Sequence, residues 1–111
     1  MSSLRYAVDH YLHRCFSMEE TPRVSELAAL LGMTREKLSR DFTAEQRVAL
    51  SAYLKQRQVV HAARLLERSP LSTTRIAYLA GFGTRRTFYR AFRRETGLSP
   101  DQYRRIRARK S

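Results

Sequence analysis

Apolar residues recur along this chain at intervals of three and four, the spacing that gathers them on one face of an α-helix. In the first such stretch, polar residues lie between the apolar residues Leu4, Val8, Leu12 and Cys15. Comparable stretches follow to the end of the chain, and none alternates every second residue as a half-buried strand does. The pattern predicts an all-α fold of about seven helices and no sheet.

Residues that begin and end helices separate these stretches. Thr21 is expected to cap the second helix, with Pro22 at its first position. The longest helix is expected over residues 49–67, because Pro70 follows soon after and cannot continue it. The other expected N-caps are short polar residues, the last of which forms a capping box with Gln102: Thr34, Ser72, Thr84 and Ser99.

The chain also repeats itself. Residues 27–53 align with residues 76–103 when one extra residue is allowed at Gly83. The identical pairs include Ala28 and Ala77, Gly32 and Gly81, Thr34 and Thr84, Arg35 and Arg85, Arg40 and Arg90, Phe42 and Phe92, Glu45 and Glu95, and Tyr53 and Tyr103. Each copy reads helix, glycine turn, polar cap, helix, which is the layout of a helix-turn-helix unit. We therefore predict a first unit over residues 1–48, a linker helix over residues 49–67 and a second unit over residues 68–111.

The charge of the chain points to a polyanionic partner. Its 111 residues include 22 Lys and Arg against 10 Asp and Glu, a net charge of +12. Nineteen of the basic residues are Arg, whose planar guanidinium matches phosphates and guanine edges better than Lys does. Residues 68–111 have a net charge of +10 and residues 1–67 of only +2. Nucleic acid is therefore favoured over a membrane surface, and the second unit is expected to supply most of the attraction.

Other classes of function are disfavoured. The spacing of His10, His13 and Cys15 is not that of zinc ligands, and His61 has no nucleophile or carboxylate pattern around it. We expect no catalytic residues, no metal and no cofactor. A single cysteine is typical of the reducing cytoplasm. No apolar run reaches the roughly eighteen residues that a membrane span needs, so no membrane contact is expected.

Two long motifs resemble those of the AraC/XylS family of transcription regulators. The linker helix reads Tyr53-Leu54-x2-Arg57-x4-Ala62-x2-Leu65-Leu66. The second unit reads Ile76-Ala77-x3-Gly81-Phe82-x5-Phe88-x-Arg90-x-Phe92-x4-Gly97-x-Ser99-Pro100-x2-Tyr103. The resemblance spans about residues 4–107. It implies a bacterial, nucleoid-associated regulator of transcription. Activation through contact with RNA polymerase is what the family implies, and nothing in the sequence distinguishes activation from repression.

One junction departs from the family pattern. Residues 47–50 read Arg-Val-Ala-Leu, where the family usually has a Gly-x-Ser-Pro-like sequence. Because the glycine cap is missing, we expect a looser or differently angled bend between the third helix and the linker.

The resemblance places the DNA contacts on the second helix of each unit. The implied base contacts are Arg35, Glu36, Ser39 and Arg40 in the first unit and Arg85, Arg86, Tyr89 and Arg90 in the second. The implied phosphate contacts are Thr34, Lys37, Thr43, Thr84, Thr87, Arg93 and Arg94. Chemically, an arginine such as Arg40 or Arg90 can bind guanine O6 and N7 with two hydrogen bonds, and Glu36 can accept one from cytosine N4.

Two hypotheses follow about the use of these helices. The second unit anchors the protein and the first discriminates between sites, because Glu36 is repelled by phosphate unless a donor-bearing base meets it. A linker of about 17 residues spans roughly 25 Å, whereas major-groove segments on one face lie about 34 Å apart. Either the DNA bends toward the protein or the two units swing apart.

Several alternatives stay open from the sequence. A DNA-packaging or recombination accessory would show a steep salt dependence and little sequence preference. A DNA-repair alkyltransferase would need a cysteine cluster, which a lone Cys15 does not supply. Most members of the family carry a separate effector-binding domain, but a MarA/SoxS-like group consists of this module alone. The module is expected to bind DNA as a monomer.

Overall fold

A computed structural model of the chain describes residues 3–110, with side chains from residue 4 to residue 107. Within that range there are seven helices and no strand, so the predicted all-α fold is confirmed. The helices are α1 (Ser3–Met18), α2 (Val24–Leu30), α3 (Arg35–Gln46), α4 (Leu50–Arg68), α5 (Thr73–Leu79), α6 (Arg85–Thr96) and α7 (Pro100–Lys110).

The helices pack around two apolar cores, one for each helix-turn-helix unit. The first core brings together Leu12 of α1, Leu27 of α2 and Phe42 of α3. The second brings together Ile76 of α5 and Phe92 of α6, with the last turns of α4 behind them. Each unit therefore buries the apolar side of its second helix and leaves the polar side of that helix facing solvent.

Helix α4 belongs to both cores. Its first turns contribute Leu50 and Leu54 to the first core, and its later turns contribute Val59, Ala62 and Leu66 to the second. In the second unit α4 takes the position that α1 takes in the first. The helix that the sequence suggested as a linker is thus a structural part of both units.

A second set of contacts joins the two units. The buried side chain of Gln58 in α4 donates a hydrogen bond to the Gly81 carbonyl at 3.0 Å. A Cβ atom on Gly81 would lie 2.7 Å from Cδ of Pro22, so the turn of the second unit packs tightly against the α1–α2 loop. Arg75 of α5 forms an ion pair with Glu19 of that loop at 2.9 Å. The units are therefore held together along α4 and through this loop.

The prediction that Thr21 caps α2 is wrong. Helix α2 begins at Val24, and its N-cap residue Arg23 makes no hydrogen bond through its side chain. The Arg23 backbone N–H donates to the Tyr11 hydroxyl at 3.0 Å, so a contact with α1 holds the start of α2, although the Arg23 side chain caps none of its N–H groups. The segment containing Pro22 is instead used to pack against the second unit.

The other predicted caps are confirmed. The side chains of Thr34, Ser72 and Thr84 each accept a hydrogen bond from the backbone N–H three residues later. At the start of α7, Gln102 N donates to Ser99 Oγ at 3.2 Å and Ser99 N donates to Gln102 Oε1 at 2.9 Å. This reciprocal pair is the capping box expected from the sequence.

The expected loosening does not occur at the end of α3, which is closed in the same way as the end of α6 although the glycine is missing. Arg47 adopts the left-handed conformation itself, with φ 60° and ψ 25°. Its backbone N–H donates to the Thr43 carbonyl at 2.9 Å, and Gly97 makes the equivalent bond to Arg93 at 2.8 Å. The first unit therefore ends its second helix as the second unit does, at the conformational cost of a side chain in a region that glycine occupies freely.

Candidate nucleic-acid interface

Helix α6 buries one side and exposes an arginine-rich side. Phe88 and Phe92 are fully buried. Because successive residues advance by about 100° around a helix, Arg86, Arg90 and Arg93 fall together on the opposite side. All three are exposed, and the first turn of α6 contains no acidic residue. This side of the helix suits a negatively charged groove.

Helix α3 has the same construction with a different surface. Phe42 is buried, and the opposite side carries Glu36, Arg40 and Thr43, all exposed. The Thr43 hydroxyl donates to the Ser39 carbonyl at 2.8 Å, which leaves its oxygen as an acceptor. The outward line of α3 therefore combines a carboxylate, a guanidinium and a hydroxyl, where α6 has only guanidinium groups.

The flanks of α3 add little positive charge. Lys37 is paired with Asp41 at 2.9 Å along the helix, so part of its charge is compensated. Arg35 is exposed near the N-terminus, whereas Ser39 is half-buried. The structure thus keeps the predicted site residues of α3 at the surface but makes this helix nearly neutral.

The capping hydroxyls lie at the N-termini of both helices. Thr34 Oγ1 accepts from Lys37 N at 3.1 Å, and Thr84 Oγ1 accepts from Thr87 N at 3.1 Å. The Thr84 hydroxyl also donates to the Thr87 hydroxyl at 2.9 Å. Exposed hydroxyls beside a helix N-terminus are suitable partners for phosphate oxygens.

Tyr89 is positioned differently from the other predicted base contacts. Its ring is half-buried and packs edge-on against Phe88. Its hydroxyl is already shared between Asp101 Oδ2 at 2.6 Å and Thr73 Oγ1 at 3.1 Å. The Arg85 guanidinium lies over the ring at 4.0 Å from its centroid. The structure therefore uses Tyr89 to join α5, α6 and α7 and to hold Arg85.

A polar groove, called here the linker groove, lies between the first turns of α4 and the side of α6. It has a volume of about 620 Å³. Its polar lining comes from both helices: Ser51, Lys55 and Gln56 of α4, and Thr87, Arg90 and Arg94 of α6. Sequence reasoning missed the three α4 residues because it treated α4 as a spacer, although their spacing places them on an exposed part of the helix.

A second groove lies on the other side of α4, toward α1. Arg64 lines it and follows Lys55 by nine residues, which is two and a half turns of helix, so the two side chains leave α4 in opposite directions. Its floor includes Phe16 stacked on His61, with ring centroids 4.2 Å apart. Burial, followed by the neighbouring charges of Arg64 and His13, lowers the pKa of His61. This groove faces away from the linker groove.

Three features of the described residues bear on sites of another kind. Cys15 is buried in the first core, and that burial raises the pKa of its thiol. Within residues 4–107 no three His, Cys, Asp or Glu side chains are grouped so that they could hold a metal ion. None of the helices in the described range combines the length and the apolar composition needed to cross a membrane.

Two helix-turn-helix units in one chain, each exposing the polar side of its second helix, define a DNA-binding module. A family profile described as "Helix-turn-helix domain" matches residues 27–106. The chain belongs to the AraC-type family of helix-turn-helix proteins, which are DNA-binding transcription regulators and not enzymes.

Individual relatives agree with this assignment. The chain is 38% identical over 82 residues to the HTH-type transcriptional regulator Rv1931c of Mycobacterium tuberculosis, which covers 74% of this chain and 32% of that protein. It is 36% identical over 69 residues to the HTH-type transcriptional activator RhaR of Salmonella heidelberg, which covers 62% of this chain and 24% of that protein. The chain thus spans less than a third of the length of these curated relatives.

A solved structure shows the same architecture bound to DNA. The DNA-binding domain of AdpA, a global transcriptional factor, was crystallised in complex with a target DNA. It is 33% identical to this chain and superposes with a TM-score of 0.85, covering 98% of this chain and 96% of that one.

Proposed function

We propose that this chain binds an asymmetric duplex site as a monomer, with α3 and α6 in two adjacent major-groove segments, and that it activates transcription. The observation that carries the proposal is the pair of equivalent outward faces on one chain. Arg40 and Arg90 occupy the same position of the repeat, and both are exposed on the side opposite the buried phenylalanines. One molecule therefore presents two reading surfaces without a partner subunit.

The proposed base contacts come from the outward lines and N-terminal turns of the two helices. In α3 they are Arg35, Glu36, Ser39 and Arg40, and in α6 they are Arg85, Arg86 and Arg90. The proposed phosphate contacts flank them: Thr34, Lys37, Thr43, Thr84, Thr87, Arg93 and Arg94. Tyr89 is proposed to act through its ring and through Arg85, since its hydroxyl already has two partners.

The two helices are proposed to divide the work of binding. Five arginines and no acid lie between Thr84 and Arg94, so α6 supplies attraction to any duplex. Glu36 lies in the first turn of α3, on its outward side, and is repelled by phosphates. It is favourable only where a cytosine amino group meets it, so α3 contributes discrimination between sites.

The contacts between the units favour bending of the DNA over movement of the protein. Helix α4 has 19 residues and so a length of about 28 Å, less than the roughly 34 Å between successive major-groove segments. Gln58, Gly81 and the Arg75–Glu19 ion pair oppose a swinging motion of one unit against the other. A circular-permutation gel with a selected site tests this, because straight DNA in the complex would remove bending.

Activation and the cellular setting are proposed from the relatives. RhaR is named as a transcriptional activator, and a chain of this family that activates is expected to contact RNA polymerase. The same relatives are longer than this chain, which leaves room in a full-length protein for an effector-binding domain. We also propose a location in the bacterial cytoplasm, at the nucleoid.

The deciding experiment is selection from a random duplex pool, followed by sequencing and by binding measurements at two salt concentrations. We expect an asymmetric motif with two half-sites about ten base pairs apart. Equal binding to every duplex, with only a salt dependence, would instead indicate a DNA-coating module. That second function is favoured by one observation, the net charge of +10 over residues 68–111.

A further inference from the structure

The linker groove has a composition that the recognition helices alone do not explain. Lys55 is exposed on α4, and the groove places it with Arg90 and Arg94 of α6. Ser51, Gln56 and Thr87 add hydroxyl and amide donors to the same groove. Glu95 is the acidic residue that lines it, against three basic side chains, so the groove is suited to an anion with several acceptor oxygens.

The N-terminus of α4 gives additional support for an anion in the linker groove. The N-cap residue Ala49 makes no side-chain hydrogen bond, and the first turn of α4 has no acidic residue. At the equivalent start of α7, Ser99 and Gln102 cap each other's backbone N–H and Asp101 lies in the first turn. Ser51 and Ala52, in the uncapped first turn of α4, line the groove. Backbone N–H groups of such a turn favour negative charge.

The groove also lies along the path that the proposed function gives the duplex. It is bordered by α6 on one side and by the start of α4, directly after α3, on the other. Between two major-groove segments on one face of DNA there is a minor groove with a phosphate backbone on each side. A molecule that reads both segments therefore brings a backbone toward the surface between α3 and α6.

We propose that the linker groove binds a phosphate of the DNA backbone between the two half-sites, with Lys55 of α4 and Arg94 of α6 as its charged partners and Ser51 and Thr87 as hydroxyl donors. This assignment rests on the proposed function. It adds α4 to the DNA-binding surface. Because the groove lies at the junction of the two units, the affinity for DNA then depends on how the two units are placed relative to each other.

The first test compares two variants of the same helix, Lys55→Ala and Arg64→Ala. Each removes one exposed positive charge, but Arg64 leaves α4 on the opposite side, in the groove that faces away. Binding to a mixed-sequence duplex and to a selected site is measured over a series of salt concentrations. For Lys55→Ala we expect the slope of log K against log salt to fall in magnitude by about 0.9, as for one lost phosphate contact. The loss of affinity should be the same factor on both duplexes.

Equal slopes for Lys55→Ala and Arg64→Ala would overturn the proposal. Thermal unfolding of both variants checks that each is folded, and Lys55→Gln, which keeps most of the aliphatic chain, should reproduce the slope of Lys55→Ala. If the wild-type chain binds no duplex at all, the proposed function fails. If the wild-type chain binds DNA but Lys55→Ala changes neither the salt slope nor the affinity, the assignment of the groove fails and the proposed function stands.

The second test locates the phosphate. Single methylphosphonate groups, which remove the charge of one phosphate, are placed at successive positions of a selected duplex. We expect one position between the half-sites at which neutralisation weakens the wild-type chain but not Lys55→Ala. If every position weakens both proteins by the same factor, Lys55 contacts no phosphate there and the proposal is rejected.

Discussion

The two helix-turn-helix units share a backbone plan and differ in the chemistry they expose. Phe42 and Phe92 are buried at equivalent positions, and each is in contact with the equivalent tyrosine, Tyr53 or Tyr103, at 5.2 Å between ring centroids. The outward lines of the second helices, in contrast, are mixed in α3 and wholly basic in α6. The repeat therefore preserves the core, while the exposed side chains of the two units differ in charge.

The turns differ in a second way that matters for stability. Gly32 and Gly81 occupy the same position of the repeat, and both have positive φ values, 67° and 80°. A Cβ atom at Gly32 would meet nothing within 4 Å, whereas one at Gly81 would meet Pro22 and the Glu20 carbonyl at 2.7 and 3.1 Å. Gly81 is therefore packed closely against the other unit, and Gly32 has open space at the same position of its turn.

The largest expected effect is a difference in stability between alanine substitutions in these two turns. Gly32→Ala should lower the free energy of unfolding by about 1–2 kcal/mol, the cost of a left-handed alanine. Gly81→Ala should lower it by about 2–5 kcal/mol, because overpacking adds to the same conformational cost. Urea unfolding of both variants measures the difference. Equal losses would mean that the contact with Pro22 does not restrain the second turn.

The next effect concerns the equivalent arginines of the recognition helices. Arg40→Ala and Arg90→Ala should each cost about 1–3 kcal/mol of binding and relax the preference at one half-site only. Competition binding with duplexes altered in one half-site at a time measures this. Because the buried Phe42 and Phe92 fix α3 and α6 from their other side, neither substitution should lower the free energy of unfolding. Loss of preference at both half-sites from either substitution would contradict the independence of the two surfaces.

A smaller effect sharpens the proposed division between the units. Glu36→Ala should weaken binding to the selected site by about 1 kcal/mol or more, through loss of a base contact, and should strengthen binding to random duplex, because a charge repelled by phosphate is removed. The matched change in the second unit, Arg86→Ala, should weaken both. Anisotropy titrations with the two duplexes measure these changes. If Glu36→Ala shifts both affinities alike, α3 does not discriminate through this residue.

The smallest effect concerns the ends of the recognition helices. Arg47→Gly should raise the free energy of unfolding by up to about 1 kcal/mol, since glycine occupies the left-handed region without strain but also loses more entropy on folding. The reverse change in the second unit, Gly97→Ala, should lower it by about 1 kcal/mol. No atom lies within 4 Å of a Cβ built on Gly97, so this cost is conformational alone. Thermal unfolding of both variants measures these changes. If Arg47→Gly is less stable than the wild-type chain, the arginine side chain makes a stabilising contact that outweighs the relief of backbone strain.

Much of the fold could be predicted because it depends on local sequence. The apolar spacing, the caps at Thr34 and Thr84 and the capping box at Ser99 act within one or two turns of helix, where the chemistry of a few neighbouring residues decides the outcome. The cap at Thr21 was wrong for the opposite reason. The partner of the Arg23 N–H is the Tyr11 hydroxyl, twelve residues away, and no local pattern indicates such a contact.

The candidate site divides in the same way. Periodicity alone places Glu36, Arg40, Arg86 and Arg90 opposite the buried phenylalanines, and the structure keeps them exposed. The hydrogen bonds of Tyr89 to Thr73 and Asp101, and the placement of Lys55 and Arg94 along one groove, depend on how separate helices pack together. Such meetings bring together residues that are far apart in the chain, so a sequence pattern cannot report them.

That the chain is all-α, repeated, basic and suited to DNA follows from the residues alone, because helical periodicity, local capping and net charge are properties of the residues and their near neighbours. Three features depend on the packing of the whole molecule: α4 is shared between two cores, Gly81 is held against Pro22, and a cationic groove lies between α4 and α6. These features arise from the packing of one helix against another, which buries apolar surface wherever shapes fit and thereby sets the distance and orientation of the two reading surfaces.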